Sequence, residues 1–124
     1  MIAADLAYAL DPVLLARRSG LEPDPWQTNF LRSQARQTIM LCSRQCGKST
    51  VASRKAIHRA LYEPGAPILC LSPSKRQSGE LFKKISAGLR RLGPRAVRLV
   101  EENKQELSLA NESRIICLPG NEMT

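Results

Sequence analysis

A chain of 124 residues, 43% hydrophobic, 24% charged and only 4% aromatic, suits one soluble globular domain with an aliphatic core and excludes a wholly disordered polymer. Nineteen Lys plus Arg against eleven Asp plus Glu leave a charge of +8, which fits a polyanionic partner such as nucleic acid or nucleotide phosphates, or else a solubilising surface. No apolar run approaches the ~20 residues of a transmembrane helix and no basic residue precedes Arg17, so neither a membrane span nor a secretory signal is expected, and the cytoplasm is the expected location.

Between Ala3 and Arg18, Leu6, Leu10, Leu14 and Leu15 recur at helical spacing, and Pro12 predicts two short helices or one kinked near Leu10. Gly20 stops this segment. Glu22-Pro23-Asp24-Pro25 is a stiff, extended linker, which divides a helical extension (1–24) from the main domain (25–124). Asp24 and Pro25 suit the cap and first position of a helix carrying Trp26, Phe30 and Leu31. Thr38-Ile39-Met40-Leu41-Cys42 is a short apolar run and predicts a strand buried on both faces. A polar loop follows, and Lys48 opens a helix with Val51, Ala52, Ala56, Ile57, Ala60 and Leu61 on one face, ended by Pro64-Gly65. Residues 67–71 predict a second buried strand, and Ser72-Pro73-Ser74 a loop able to cap the next helix. In that helix Leu81, Phe82, Ile85, Leu89 and Leu92 form an apolar stripe that stops at Gly93-Pro94. Strands are expected over 97–100, 106–110 and 114–118, the last two joined by a turn at Asn111-Glu112-Ser113. The order strand, loop, helix, strand, helix begins a parallel α/β sheet.

Gly47-Lys48-Ser49-Thr50 falls at a strand-to-helix junction. A phosphate chain bound there needs inward-pointing backbone N–H groups, which such a loop and helix N-terminus provide. Gly47 lets the backbone approach closely, Lys48 would reach the β- and γ-phosphates, and the Ser49 hydroxyl would ligate Mg²⁺. The usual P-loop has glycine five residues before Gly47, where this chain has Cys42. Cys42 and Cys46 are four apart, but Cys70 and Cys117 stand alone and His58 is the sole histidine, so free thiols are expected rather than a zinc site.

The run Ser43-Arg44-Gln45-Cys46-Gly47-Lys48-Ser49 resembles the variant Walker A motif of the large terminase subunits of tailed bacteriophages, ATP-driven motors that package DNA. Pro25-Trp26-Gln27 is similar to the adenine-recognition region preceding that loop. Residues 68–74, Gln77 and the basic helix after it resemble the family's second strand and helix, and 113–121 the approach to Walker B. The resemblance covers about residues 5–121 and implies an incomplete P-loop NTPase of the RecA-like, ASCE type, a three-layer α/β domain using ATP and Mg²⁺. Its implied partners are double-stranded DNA and, in the intact proteins, a small terminase subunit, a portal and a ring of identical copies. By the same resemblance Gln27 would hydrogen-bond the adenine edge and Trp26 wall the base pocket, although Trp26 serves equally well as a core anchor. Ser43, Arg44, Gln45, Cys46, Gly47, Lys48, Ser49 and Thr50 would surround the phosphates. Arg44 would act as a phosphate sensor or stabilise transition-state charge, its alternative being a solvated loop arginine, and Cys46 occupies a variable position.

Hydrolysis needs further carboxylates, one on a buried strand for Mg²⁺ and one to orient water. No apolar strand here ends in Asp-Glu; Glu101-Glu102 read as a surface turn, and the family's nuclease domain is missing. The expectation is a chain that by itself binds nucleotide weakly or not at all and does not hydrolyse it, the ATPase domain being cut before Walker B. Without the strands that flank the P-loop strand in that family, 39–41 and 68–71 are expected to expose apolar faces and unpaired edges. The second basic feature runs from Lys75 to Arg95, where Lys83, Lys84 and Arg91 avoid the apolar stripe and could face DNA phosphates or plain solvent. Two other readings remain: a fragment of a helicase-like or restriction-type P-loop ATPase, and a non-enzymatic basic nucleic-acid-binding domain in which Gly-Lys-Ser is coincidental.

Overall fold

Proline and capping chemistry set the first three helices. A computed structural model describes residues 2–41, 47–93, 99–102 and 105–120 of the chain. Helix α1 (Ile2–Leu10) and helix α2 (Pro12–Arg18) are separate, because Asp11 caps α2 by accepting from the Val13 N–H at 3.0 Å and Pro12 takes its first position. Gly20, at φ +99°, closes α2: its N–H reaches the Arg17 carbonyl (3.1 Å) and the Leu21 N–H reaches that of Ala16 (2.9 Å), the Schellman pattern. Helix α3 (Pro25–Arg32) starts as expected at Asp24 and Pro25, with the Gln27 side chain folded back to accept from the Asp24 N–H at 2.8 Å.

The strand expected over 38–42 does not form. Residues 37–41 are irregular, Cys42 lies outside the described residues, and Ile39 and Leu41 are 87% and 93% exposed. Apolar content proposes a strand, but only a neighbouring ladder makes one, and no described strand pairs with this segment. Met40 alone turns inward, against the cluster of Val13, Ala16, Leu31 and Val51.

Helix α4 (Lys48–Tyr62) leads through Pro64-Gly65 into strand β1 (Pro67–Ser72), and helix α5 (Lys75–Leu92) follows, with Ser74 accepting from the Gln77 N–H at 3.2 Å. Strands β2 (Leu99–Glu102), β3 (Glu106–Leu109) and β4 (Arg114–Pro119) complete a four-stranded sheet in the order β1-β4-β3-β2. Only β1 and β4 are parallel; β4 with β3 and β3 with β2 are antiparallel. The sheet is therefore mixed rather than parallel, since only three residues separate β2 from β3 and four separate β3 from β4, too few for the crossover that parallel pairing needs. Glu101 and Glu102 are strand residues opposite Ser108 and Leu107, not a turn.

Ile57 and Ala60 of α4 and Phe82, Ile85, Leu89 and Leu92 of α5 pack on Leu107, Leu109, Ile115 and Cys117 of the sheet. The described helices cover this one face, giving two α/β layers; the expected third layer is not found among the described residues. On the opposite face the strand β1 was expected to be buried, yet Leu69 and Leu71 are 58% and 65% exposed. Their register partners Ile116 and Leu118 share that face, which nothing described covers. No described helix is long and apolar enough to cross a membrane.

Candidate functional site

The start of α4 is built by three helices. Helices α3 and α4 run in the same direction: Gln27 at the beginning of α3 meets Gly47 at the beginning of α4, and further along Lys55 of α4 donates to the Phe30 and Ser33 carbonyls at 2.7 and 3.1 Å. The Lys55 ammonium also sits 4.3 Å from the centre of the Phe30 ring. Its placement on the last carbonyls of α3 satisfies that helix end and opposes the negative pole of its dipole. Burial, with the neighbouring Arg59 adding to it, holds the Lys55 pKa below its ordinary value. Helix α2 supplies Val13 and Ala16, which pack with Leu31 and Val51 to complete the base of the site.

Gly47 stands immediately before α4 in the left-handed region, φ +90° and ψ +19°. Its carbonyl accepts the first helical bond, from the Val51 N–H at 3.1 Å, and a second from Gln27 Nε2 at 3.2 Å. A Cβ at this position would lie 2.6 Å from Gln27 Nε2 and would have to displace that amide, while the backbone angle itself favours glycine. Lys48 is the first helical residue and half-buried, Ser49 is exposed and Thr50 half-buried. These three residues form the N-terminal turn of a 15-residue helix, whose amide groups point along the axis toward its N-terminal end.

Of the residues that the sequence singles out, the structure thus joins Gln27 to Gly47, beside Lys48, Ser49 and Thr50. Gln27 is only 4% exposed and its amide is used at both ends, on Asp24 and on Gly47. Trp26 is half-buried against the Val13 cluster. Ser43, Arg44, Gln45 and Cys46 lie outside the described residues. The part that is described suits a phosphate group: a helix N-terminus, a lysine in its first turn, an exposed hydroxyl beside it, and a glycine whose position a side chain would obstruct. Among the described residues no group of three or more His, Cys, Asp or Glu could hold a metal ion. Glu101 and Glu102 belong to β2, the opposite edge of the sheet from β1.

The basic helix α5 carries its cations on two sides. Lys83 lines a groove of about 880 Å³ together with Lys75 and Arg90, over a floor that includes Ser78, Phe82 and Ser86. Lys84, exposed and about 100° around α5 from Lys83, does not line that groove, and the Arg91 guanidinium lies against Gly20. Lys83, Lys84 and Arg91 therefore do not form one surface. Lys75 and Arg90 are the members that sequence reasoning missed, although at 3.6 residues per turn they fall within an arc of roughly 80° around Lys83. Compared with known proteins, the chain matches no family model and no curated protein sequence.

Proposed function

We propose that this chain is the nucleotide-binding portion of a P-loop motor ATPase of the terminase large-subunit type, taking ATP with Mg²⁺ at the start of α4 and not hydrolysing it alone. The observation that carries the reading is Gly47: a left-handed glycine, fixed by the buried Gln27, sets Lys48-Ser49-Thr50 as the opening turn of α4 directly after the Ser43-Arg44-Gln45-Cys46 run. On this reading the first-turn amides bind phosphate oxygens, Lys48 neutralises their charge, and Ser49 orients the metal. Gln27 acts first as a strut for the loop end and only through its remaining hydrogen-bonding capacity at a base. The metal, when bound, would supply charge neutralisation at the phosphates.

The test is equilibrium binding of a fluorescent ATP analogue with Mg²⁺ to the chain and to Lys48→Ala. At least a tenfold loss of affinity is expected, with an unchanged far-UV circular dichroism spectrum. Equal affinities would remove the phosphate role.

The groove on α5 favours a second role, contact with double-stranded DNA. Lys75, Lys83 and Arg90 would track one phosphate backbone, and no aromatic residue is offered for base stacking except the buried floor residue Phe82. Neutralising Lys83 should lower the slope of log affinity against log salt by about one, whereas Lys84→Ala, on the other side of α5, should leave it nearly unchanged. Identical slopes for all three proteins would argue against this groove as the contact.

A further inference from the structure

Cys70 and Cys117 stand opposite each other in the parallel ladder of β1 and β4. Both belong to the sheet face that carries the core. Adjacent strands lie ~4.8 Å apart, which falls inside the Cα separation of ~4.4–6.8 Å that a disulfide spans. Both are free thiols. Their access differs, for Cys70 is half-buried on an edge strand while Cys117 is buried. The Cys117 contact holds the Cys70 thiol below its ordinary value, whereas the same contact and burial push Cys117 upward. Cys70, the more exposed of the two, is thus the sulfur that a small reagent can reach.

We propose that Cys70 and Cys117 form a reversible dithiol–disulfide pair, oxidised by a low-molecular-weight disulfide of the glutathione type. The Cys70 thiolate attacks one sulfur of the oxidant, forming a mixed disulfide and expelling one small thiolate. Cys117 then gives up its proton, attacks the Cys70 sulfur and expels the second. The protein loses two electrons and two protons, and the oxidant leaves as two thiols. Closing the bridge draws Cβ atoms from the ladder spacing of ~4.8 Å to the ~3.8 Å of a disulfide, so the strands must shift slightly and the bond stays reducible. The bridge would fasten the edge strand β1, which links α4 to α5, covalently to β4.

The experiment uses the full chain at low micromolar concentration with oxidised glutathione, followed by trypsin without reduction and mass spectrometry. Cleavage after Arg36, Arg44, Lys48, Arg59, Lys75 and Arg114 leaves each of the four cysteines in its own peptide, so the partners are read directly. The expected product is one pair of peptides, 60–75 joined to 115–124, two hydrogens lighter than their sum and separated again by dithiothreitol. A chain with both Cys42→Ser and Cys46→Ser should give the same product, and Cys117→Ser should retain glutathione on Cys70. Bridges confined to Cys42 or Cys46, a disulfide between two chains, or a wild-type chain that forms no intramolecular bridge would each overturn the proposal.

Discussion

At Gly47 the backbone adopts φ +90°, a left-handed conformation that costs an L side chain about 1–2 kcal/mol. A Cβ there would also displace Gln27 Nε2, which stands 2.6 Å from its position, and would break a hydrogen bond worth about 1 kcal/mol. Gly47→Ala should therefore lower unfolding stability by roughly 2 kcal/mol, measured by urea denaturation. Part of that cost belongs to the contact and not to the backbone. In a Gln27→Ala background the same change should cost about 1 kcal/mol less, because the obstructing amide has gone. Strict additivity of the two substitutions would show that Gln27 and Gly47 do not touch in solution. The glycine was legible in the sequence as part of a phosphate-binding pattern. Its partner's structural duty was not, since Gln27 lies 20 positions away and only the parallel packing of α3 on α4 brings them together.

Elements whose ends are decided by local chemistry were the easiest to read. Pro12 after Asp11, Pro25 after Asp24, Ser74, Gly20 and Gly93 all mark real helix boundaries, because each acts through its own φ angle or through a side chain bonding two or three residues away. The segment 38–41 misled because a strand is defined by its neighbour, and periodicity carries no information about whether one is present. The end of α4 shows a third case, in which a distant turn finishes a helix. Asn111 donates from Nδ2 to the Ala60 and Leu61 carbonyls at 2.8 and 3.3 Å, and the Ser113 hydroxyl lies 2.7 Å from the Ala60 carbonyl. The β3–β4 turn thereby satisfies carbonyls that α4 cannot bond itself. Asn111→Ala should cost about 2 kcal/mol by leaving those partly buried groups unpaired. Asn111→Asp should cost more, since it sets an acceptor against two acceptors; thermal unfolding of the two variants measures the order. If aspartate were tolerated as well as alanine, the turn would not be capping α4.

Over the whole molecule, two opposing features decide how copies behave together. One is the bare side of the sheet, where Leu69 and Leu71 are exposed on the edge strand β1, beside Ile116 and Leu118; Ile39 and Leu41 are exposed as well. The outward-facing backbone groups of β1 pair with no described strand, and the strand carries no charged residue to discourage pairing. The other feature is the charge of +8, which repels a second copy over a distance set by the Debye length, ~30 Å at 0.01 M salt and ~10 Å at 0.1 M. Salt weakens the repulsion and leaves apolar attraction intact, so self-association should rise with ionic strength, the reverse of what ion-pair assembly would give. Sedimentation velocity between about 20 mM and 500 mM salt should show a growing fraction of associated species. The double substitution of Leu69→Lys and Leu71→Lys, at positions already open to solvent, should keep the fold and hold the chain monomeric over the same range, because lysine on an edge strand blocks pairing by another chain. A wild-type chain that remains monomeric at every salt concentration would mean that the bare face is not adhesive, and that two layers suffice for this sequence.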